Sequence, residues 1–180
     1  YCSTFFAQED TSSAVAKDFV EGFQKYLSEN NDAFTMNGGN TIVAAVSALG
    51  FDTYNVAYAA IEAAAKEKGE DLTSIDVAKA LWTLTYDDAV TGQNGDAIKS
   101  TAYIKKANTE TVAFDFVKTQ SVENNAAQAT AYDYSEFTNC NTIDKVNHVI
   151  KIGVYEPQSG DNANGGKQEV IGIRYANSLK

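Results

Sequence analysis

The residues best placed to do chemistry are Ser159-Gly160-Asp161-Asn162-Ala163-Asn164-Gly165-Gly166. They lie between a strand-like run and a helix-like run. In open α/β sheets, ligands bind at the carboxyl ends of strands. Backbone N–H groups and small hydroxyl or amide side chains at a helix start can hold a carboxylate. A plain turn that caps the helix is the alternative reading. The loop is not a Walker phosphate loop, because Gly166-Lys167-Gln168 lacks the closing hydroxyl. It does not match the dinucleotide fingerprint either. The adjacent acids Asp87-Asp88 and Glu9-Asp10 read as solvated surface. No Gly-x-Ser-x-Gly elbow occurs. The single histidine, His148, opens an apolar strand, which gives little support to a Ser-His-Asp arrangement or to a zinc site. No catalytic group, metal ligand or cofactor motif is therefore expected.

The elements that must position the loop come next. Val149-Ile150-Lys151-Ile152-Gly153-Val154-Tyr155 alternates apolar with charged or small residues and reads as a strand. A helix follows over about Lys167–Leu179, with Val170, Ile173 and Ala176 or Asn177 in step. This strand–loop–helix order begins a parallel α/β sheet. Earlier, Cys2–Ala7 reads as a strand. Ala14–Leu27 reads as a helix, with Val15, Phe19, Phe23, Tyr26 and Leu27 on one face. Thr41–Leu49 fits a strand or a buried helix. An alanine-rich helix is expected over Thr53–Lys68, and Thr73-Ser74-Ile75-Asp76 resembles the cap of another. Tyr103–Lys105 and Thr111–Val117 read as a hairpin. Ser121–Asn147 reads as a linker.

Composition bounds the function classes. Of 180 residues, 44% are hydrophobic and 21% charged, enough for a globular core. The net charge of −10, with 24 acidic against 14 basic residues, argues against nucleic acid as a partner, which needs a basic stripe. No apolar run is long enough to span a bilayer. The opening Tyr1-Cys2-Ser3-Thr4 lacks the basic start and cleavage site of a secretory leader. Cys2 lacks the apolar segment of a lipoprotein signal and reads as strand. Whether Cys2 and Cys140 pair is open.

Two blocks together resemble a family. Ile150-Lys151-Ile152-Gly153-Val154-Tyr155-Glu156-Pro157-Gln158-Ser159-Gly160, with Gly165-Gly166 and Gly172-Ile173-Arg174-Tyr175-Ala176, looks like the amino-terminal start of ABC-transporter solute-binding proteins of the branched-chain amino-acid and amide group. Ser3-Thr4-Phe5-Phe6-Ala7, Ala48-Leu49-Gly50-Phe51-Asp52-Thr53-Tyr54, and Thr91-Gly92 with Asn94-Gly95-Asp96-Ala97 look like the late part of the same family. Phe51 stands where the family usually has Tyr. The late block precedes the early one, and the middle of a full binding protein is missing between them. The favoured explanation is a junction of two tandem binding domains; a permuted or proteolysed piece and a natural reduction of the fold are the others.

The resemblance implies an α/β fold: a Rossmann-like parallel sheet with flanking helices, made of first-lobe pieces of a type I periplasmic binding protein plus a β-hairpin. It implies three segments: 1–120 from the carboxyl-terminal part of a binding domain, 121–147 as linker, and 148–180 as an amino-terminal strand–loop–helix. The Val149–Tyr155 strand is expected beside that of Cys2–Ala7. The implied function is extracytoplasmic capture of a small polar ligand, an amino acid or amide, by lobe closure. The implied partner is the membrane permease of an ABC importer, with membrane anchoring through the parent protein and no enzymatic activity. The implied ligand contacts are Ser159, Gly160, Asn162, Ala163 and Asn164, with Phe51 and Tyr54 as an aromatic wall. Such lining suits amino acids and small amides. Asp52 would pair with an ammonium group, or else cap a helix. A sensory or interaction module that uses the same lobe without transport is the alternative.

Overall fold

Ser13 starts the first helix. Its extended backbone and side-chain Oγ, which accepts from the Ala16 N–H at 3.4 Å, cap α1 (Ala14–Glu29). Asn30 ends α1 and caps α2 (Asn31–Met36), its Oδ1 accepting from the Ala33 N–H at 3.1 Å. A computed structural model describes residues 1–10, 12–81, 84–86, 89–90, 101–121, 143–144, 146–147 and 149–180. The remaining elements are β1 (Cys2–Thr4), α3 (Ala45–Lys68), a short 3-10 turn (Gly69–Asp71), α4 (Ser74–Leu81), β2 (Thr85–Tyr86), β3 (Ala89–Val90), β4 (Thr101–Asn108), β5 (Ala113–Ser121), β6 (Ile143–Asp144), β7 (Val149–Ile150) and α5 (Ala163–Ser178). The chain is mixed α/β. Cys140, His148, Trp82, Asp87-Asp88, Thr91–Ala97 and most of the expected linker lie outside the described residues.

The chain forms two units. The first comprises Tyr1–Tyr54, Lys99–Glu123 and Tyr155–Lys180. Its core is aromatic. Phe19, Phe23 and Leu27 recur every four residues on α1 and are buried with Ala33, Val43, Ala48, Ile171 and Tyr175. Val15, expected on the same stripe, is 56% exposed, because the first turn of α1 extends past the core. On α5 the buried positions past the first turn are Ile171, Gly172, Tyr175 and Ala176, one step round from the expected Val170 and Ile173 stripe. Glycine decides this. A Cβ on Gly172 would lie 3.0 Å from the Phe51 backbone nitrogen, and one on Gly50 would lie 3.2 Å from the Glu169 Cα. Backbones that close must turn their side-chain-free positions toward each other.

The sheet of this unit has the order β1-β4-β5, antiparallel throughout. The hairpin lies where the sequence places it, with longer arms. Asn108 Oδ1 accepts from the Glu110 and Thr111 N–H groups at 2.9 and 3.2 Å and shapes the turn. Ile104 faces Lys118 while Lys105 faces Phe116, so Val117 is an extra, bulged residue. Phe116 and Tyr103 meet on one face with ring centres 6.4 Å apart.

The second unit comprises Asn55–Ile98 and Asn124–Val154, and includes the later turns of α3. Ala60, Ala64 and Leu72 are buried in it. Thr73 and Asp76 form a reciprocal cap at the start of α4: Asp76 Oδ2 accepts from the Thr73 N–H at 3.0 Å, and Thr73 Oγ1 accepts from the Asp76 N–H at 3.4 Å. The ambiguous Thr41–Leu49 run resolves as helix from Ala45, continuous with the expected alanine-rich helix through Gly50.

One expectation is overturned. Val149–Tyr155 does not pair with the Cys2–Ala7 strand. β1 pairs with β4, whereas only Val149–Ile150 is strand, and it pairs with Ile143–Asp144 in a separate two-stranded ladder. Ile152 and Val154 are 45% and 44% exposed. A strand sequence becomes a strand only where a neighbour supplies its hydrogen bonds, and here Ile143–Asp144 supplies them to Val149–Ile150 alone. All strand pairs among the described residues are antiparallel.

Candidate functional site

The loop of interest is built from the chain that leads into α5. Pro157 has a fixed φ and packs on Gly166, where a Cβ would stand 2.8 and 2.9 Å from the proline Cδ and Cγ. Gly160 turns the chain with φ +79, a conformation that favours glycine. The Ala163 N–H then donates to the Gly160 carbonyl at 3.1 Å, and the Gly166 N–H to the Asn162 carbonyl at 3.3 Å. Asn162 occupies the cap position, yet its side chain makes no capping bond. No acid stands in the first turn to answer the helix dipole.

Ser159, Gly160, Asn162 and Asn164 are exposed, as is Asp161. They can present a hydroxyl, amides and the amino end of a 16-residue helix to an anion. Open space surrounds Gly160 and Gly165. Ala163 differs: it is 8% exposed and packs inward, so it is not a ligand-facing position.

The second group of expected residues is elsewhere. Phe51 stacks in the aromatic core, its ring centre 4.6 Å from that of Phe19 and 5.6 Å from that of Tyr175. It is half-buried and packs its ring against the core. The Tyr54 hydroxyl donates to Asn177 Oδ1 at 2.6 Å. Asp52 is exposed and lies inside α3, because the helix begins at Ala45. The helix-capping alternative for Asp52 is therefore overturned. Tyr175 and Asn177 are on the last turns of α5, whereas the loop is at its start. At about 1.5 Å per residue, the two groups are roughly 18 Å apart along the helix. The structure does not bring them together.

Two features escaped the sequence reading. The first is a pair of carboxyls, Glu156 and Glu169. Partial burial pushes Glu169 up to about 7, and a hydrogen bond and the negative charge from Glu156 push the same way. They are thirteen residues apart, across an irregular segment and a helix turn, so no sequence period flags them. The second is a cavity of about 370 Å³ in the second unit, lined by Ala63, Ala64, Glu67, Lys68, Asp76 and Lys79 among others. Its charges are engaged locally. Lys68 Nζ lies 2.7 Å from Glu67, and the Thr73 hydroxyl donates to Asp76 Oδ2 at 2.6 Å, holding that carboxyl below its usual range. Among the described residues, no three His, Cys, Asp or Glu side chains converge to hold a metal, and no helix is long and apolar enough to cross a membrane.

Comparison with protein-family models, with curated proteins and with solved structures finds no match to this chain.

Proposed function

We propose that this chain derives from the extracytoplasmic solute-binding component of a bacterial ABC importer, and that its Ser159–Asn164 loop takes the carboxylate or amide of a small polar ligand. The observation that carries the reading is the uncapped amino end of α5, with exposed Ser159, Asn162 and Asn164 around it and no acid in its first turn. A positive helix end with no acid in its first turn favours an anionic group, against which the exposed Asp161 just before the cap competes. The family's ordered strand, Ser-Gly turn and helix supply the ligand class, an amino acid or its amide. On this reading Val149–Tyr155 is the strand of a Rossmann-like parallel sheet, and its exposed Ile152 and Val154 are the faces such a sheet would cover. The loop lies open to solvent and would meet the ligand from one side, so binding by these residues is weak, in the millimolar range of roughly −4 kcal/mol.

The test is a nuclear magnetic resonance titration of the 180-residue chain with leucine, leucinamide and acetate. Shifts confined to the amides of Ser159–Gly165, reduced in Ser159→Ala and Asn164→Ala, support the proposal. An undisturbed loop at tens of millimolar ligand, roughly ten times the millimolar dissociation constant, sinks it.

A further inference from the structure

We propose that Asn164 deamidates spontaneously, turning the amino end of α5 from neutral to anionic, while the fold keeps the matching residue Asn37 intact. The sequence holds two Asn-Gly-Gly runs, Asn37-Gly38-Gly39 and Asn164-Gly165-Gly166. A further Asn-Gly pair, Asn94-Gly95, lies outside the described residues. In each run the glycine nitrogen can attack the asparagine side-chain Cγ, because glycine puts no Cβ in the way. The N–Cγ bond forms, the Cγ–Nδ2 bond breaks, and ammonia leaves with the glycine amide proton. Water then opens the cyclic imide. Opening at Cγ leaves aspartate, and opening at the main-chain carbonyl leaves isoaspartate. Nothing is oxidised or reduced.

The structure separates the two runs. Asn37 is 2% exposed. Its Nδ2 donates to the Asn40 and Ile42 carbonyls at 2.8 and 3.0 Å. The Gly38 N–H, the group that must attack, donates to the Thr35 carbonyl at 3.1 Å. All three bonds must break before the groups can meet, which at ordinary net strength slows the step about a hundredfold. Asn164 is exposed, and open space surrounds Gly165. The Gly165 N–H is one of the amides that a first helical turn leaves without an intrahelical partner, and among the described residues it finds no backbone partner in the loop before it. The attack needs the Asn164–Gly165 peptide to leave its helical setting. That turn is weakly held: the Asn162 side chain makes no capping bond, and two glycines in a row favour the open chain. Gly166 is packed on Pro157, so the opening stops there.

The first turn of α5 carries no acid. An aspartate at position 164 supplies a negative charge where the helix dipole favours one. An isoaspartate adds a main-chain methylene and takes position 164 out of helical register. Either product would repel an anionic ligand from the Ser159–Asn164 loop. That consequence rests on the reading of the loop given above; the modification itself does not.

Ageing the 180-residue chain in warm, mildly alkaline buffer, followed by peptide mass mapping that separates aspartyl from isoaspartyl forms, tests this. A parallel sample in concentrated urea gives each site its rate without the fold. In the folded chain, Asn164 is expected to convert about a hundredfold faster than Asn37. In urea the two rates should converge, because both asparagines are followed by two glycines. Gly165→Ala, whose methyl meets open space, should suppress conversion at position 164 and leave Asn37 as it was. An Asn164 that stays intact in the folded chain while converting in urea overturns the proposal. So does conversion of Asn37 at the same rate in the folded chain, a gap that persists in urea, or an unchanged rate at position 164 in Gly165→Ala. No ligand takes part in these measurements, so they stand or fall apart from the titration with leucine, leucinamide and acetate.

Discussion

Tyr175 is the residue on which the first unit turns. Its ring lies within 6.3 Å, centre to centre, of Phe19, Phe23, Tyr26 and Phe51, and burial pushes its phenol up. Phe23, with no exposed surface, packs edge-on against it. Phe23→Ala should cost about 3–5 kcal/mol of unfolding free energy, through lost burial and the cavity left behind; urea denaturation measures this. Phe51→Ala should likewise lower stability while leaving any shift of the Ser159–Gly165 amides by ligand unchanged, because Phe51 is packed at the far end of α5. At Glu169 the proton is held more tightly in the folded chain than in the unfolded one. Its contribution to stability is therefore complete below the ordinary glutamate range and is lost as pH rises through about 7. Glu169→Gln should match the parent chain near pH 4 and exceed it in stability near pH 8, as ordinary glutamate ionisation near 4.3 requires. Thermal melts at both values decide it.

At the scale of elements, close backbone approach governs the crossing of α3 and α5. Gly50→Ala or Gly172→Ala would press a methyl into the facing backbone, which cannot yield as a side chain can. Each should cost about 1–3 kcal/mol, read as a lower urea midpoint. The reciprocal cap of α4 has its own pH signature. The hydroxyl of Thr73 holds the Asp76 carboxyl low, so this contribution is present at neutral pH and fades as pH falls through the depressed value. Thr73→Ala should cost about 1 kcal/mol at neutral pH. Elements of this kind were legible in the sequence because their signals are local. Ser13 before an apolar stripe, Thr73-Ser74-Ile75-Asp76, and a hairpin turn beside Asn108 all act within four residues of chain. The Val149–Tyr155 run was not settled that way: its composition suits a strand throughout, yet only Val149–Ile150 finds a ladder partner among the described residues.

For the whole molecule, the two units have different kinds of interior. The first is aromatic and closed by α1, α3 and α5. The second rests on small alanines and Leu72. The candidate binding loop and the carboxyl pair both belong to the first unit. The sequence by itself determined α1, the later turns of α3, α4 with its Thr73–Asp76 cap, most of α5, the β4–β5 hairpin, the turn at Gly160 and the polar composition of Ser159–Asn164, but not α2 or the start of α3. Those follow from propensity, periodicity and turn chemistry over a few residues. Only the tertiary structure decided that Phe51 lays its ring against the aromatic core, that Ala163 faces inward, and that the loop and Tyr54 stand at opposite ends of α5. It also decided that Glu156 meets Glu169 and that β1 pairs with β4. Each of these depends on which surfaces bury one another, and a helix period says which residues share a face without saying what that face will meet.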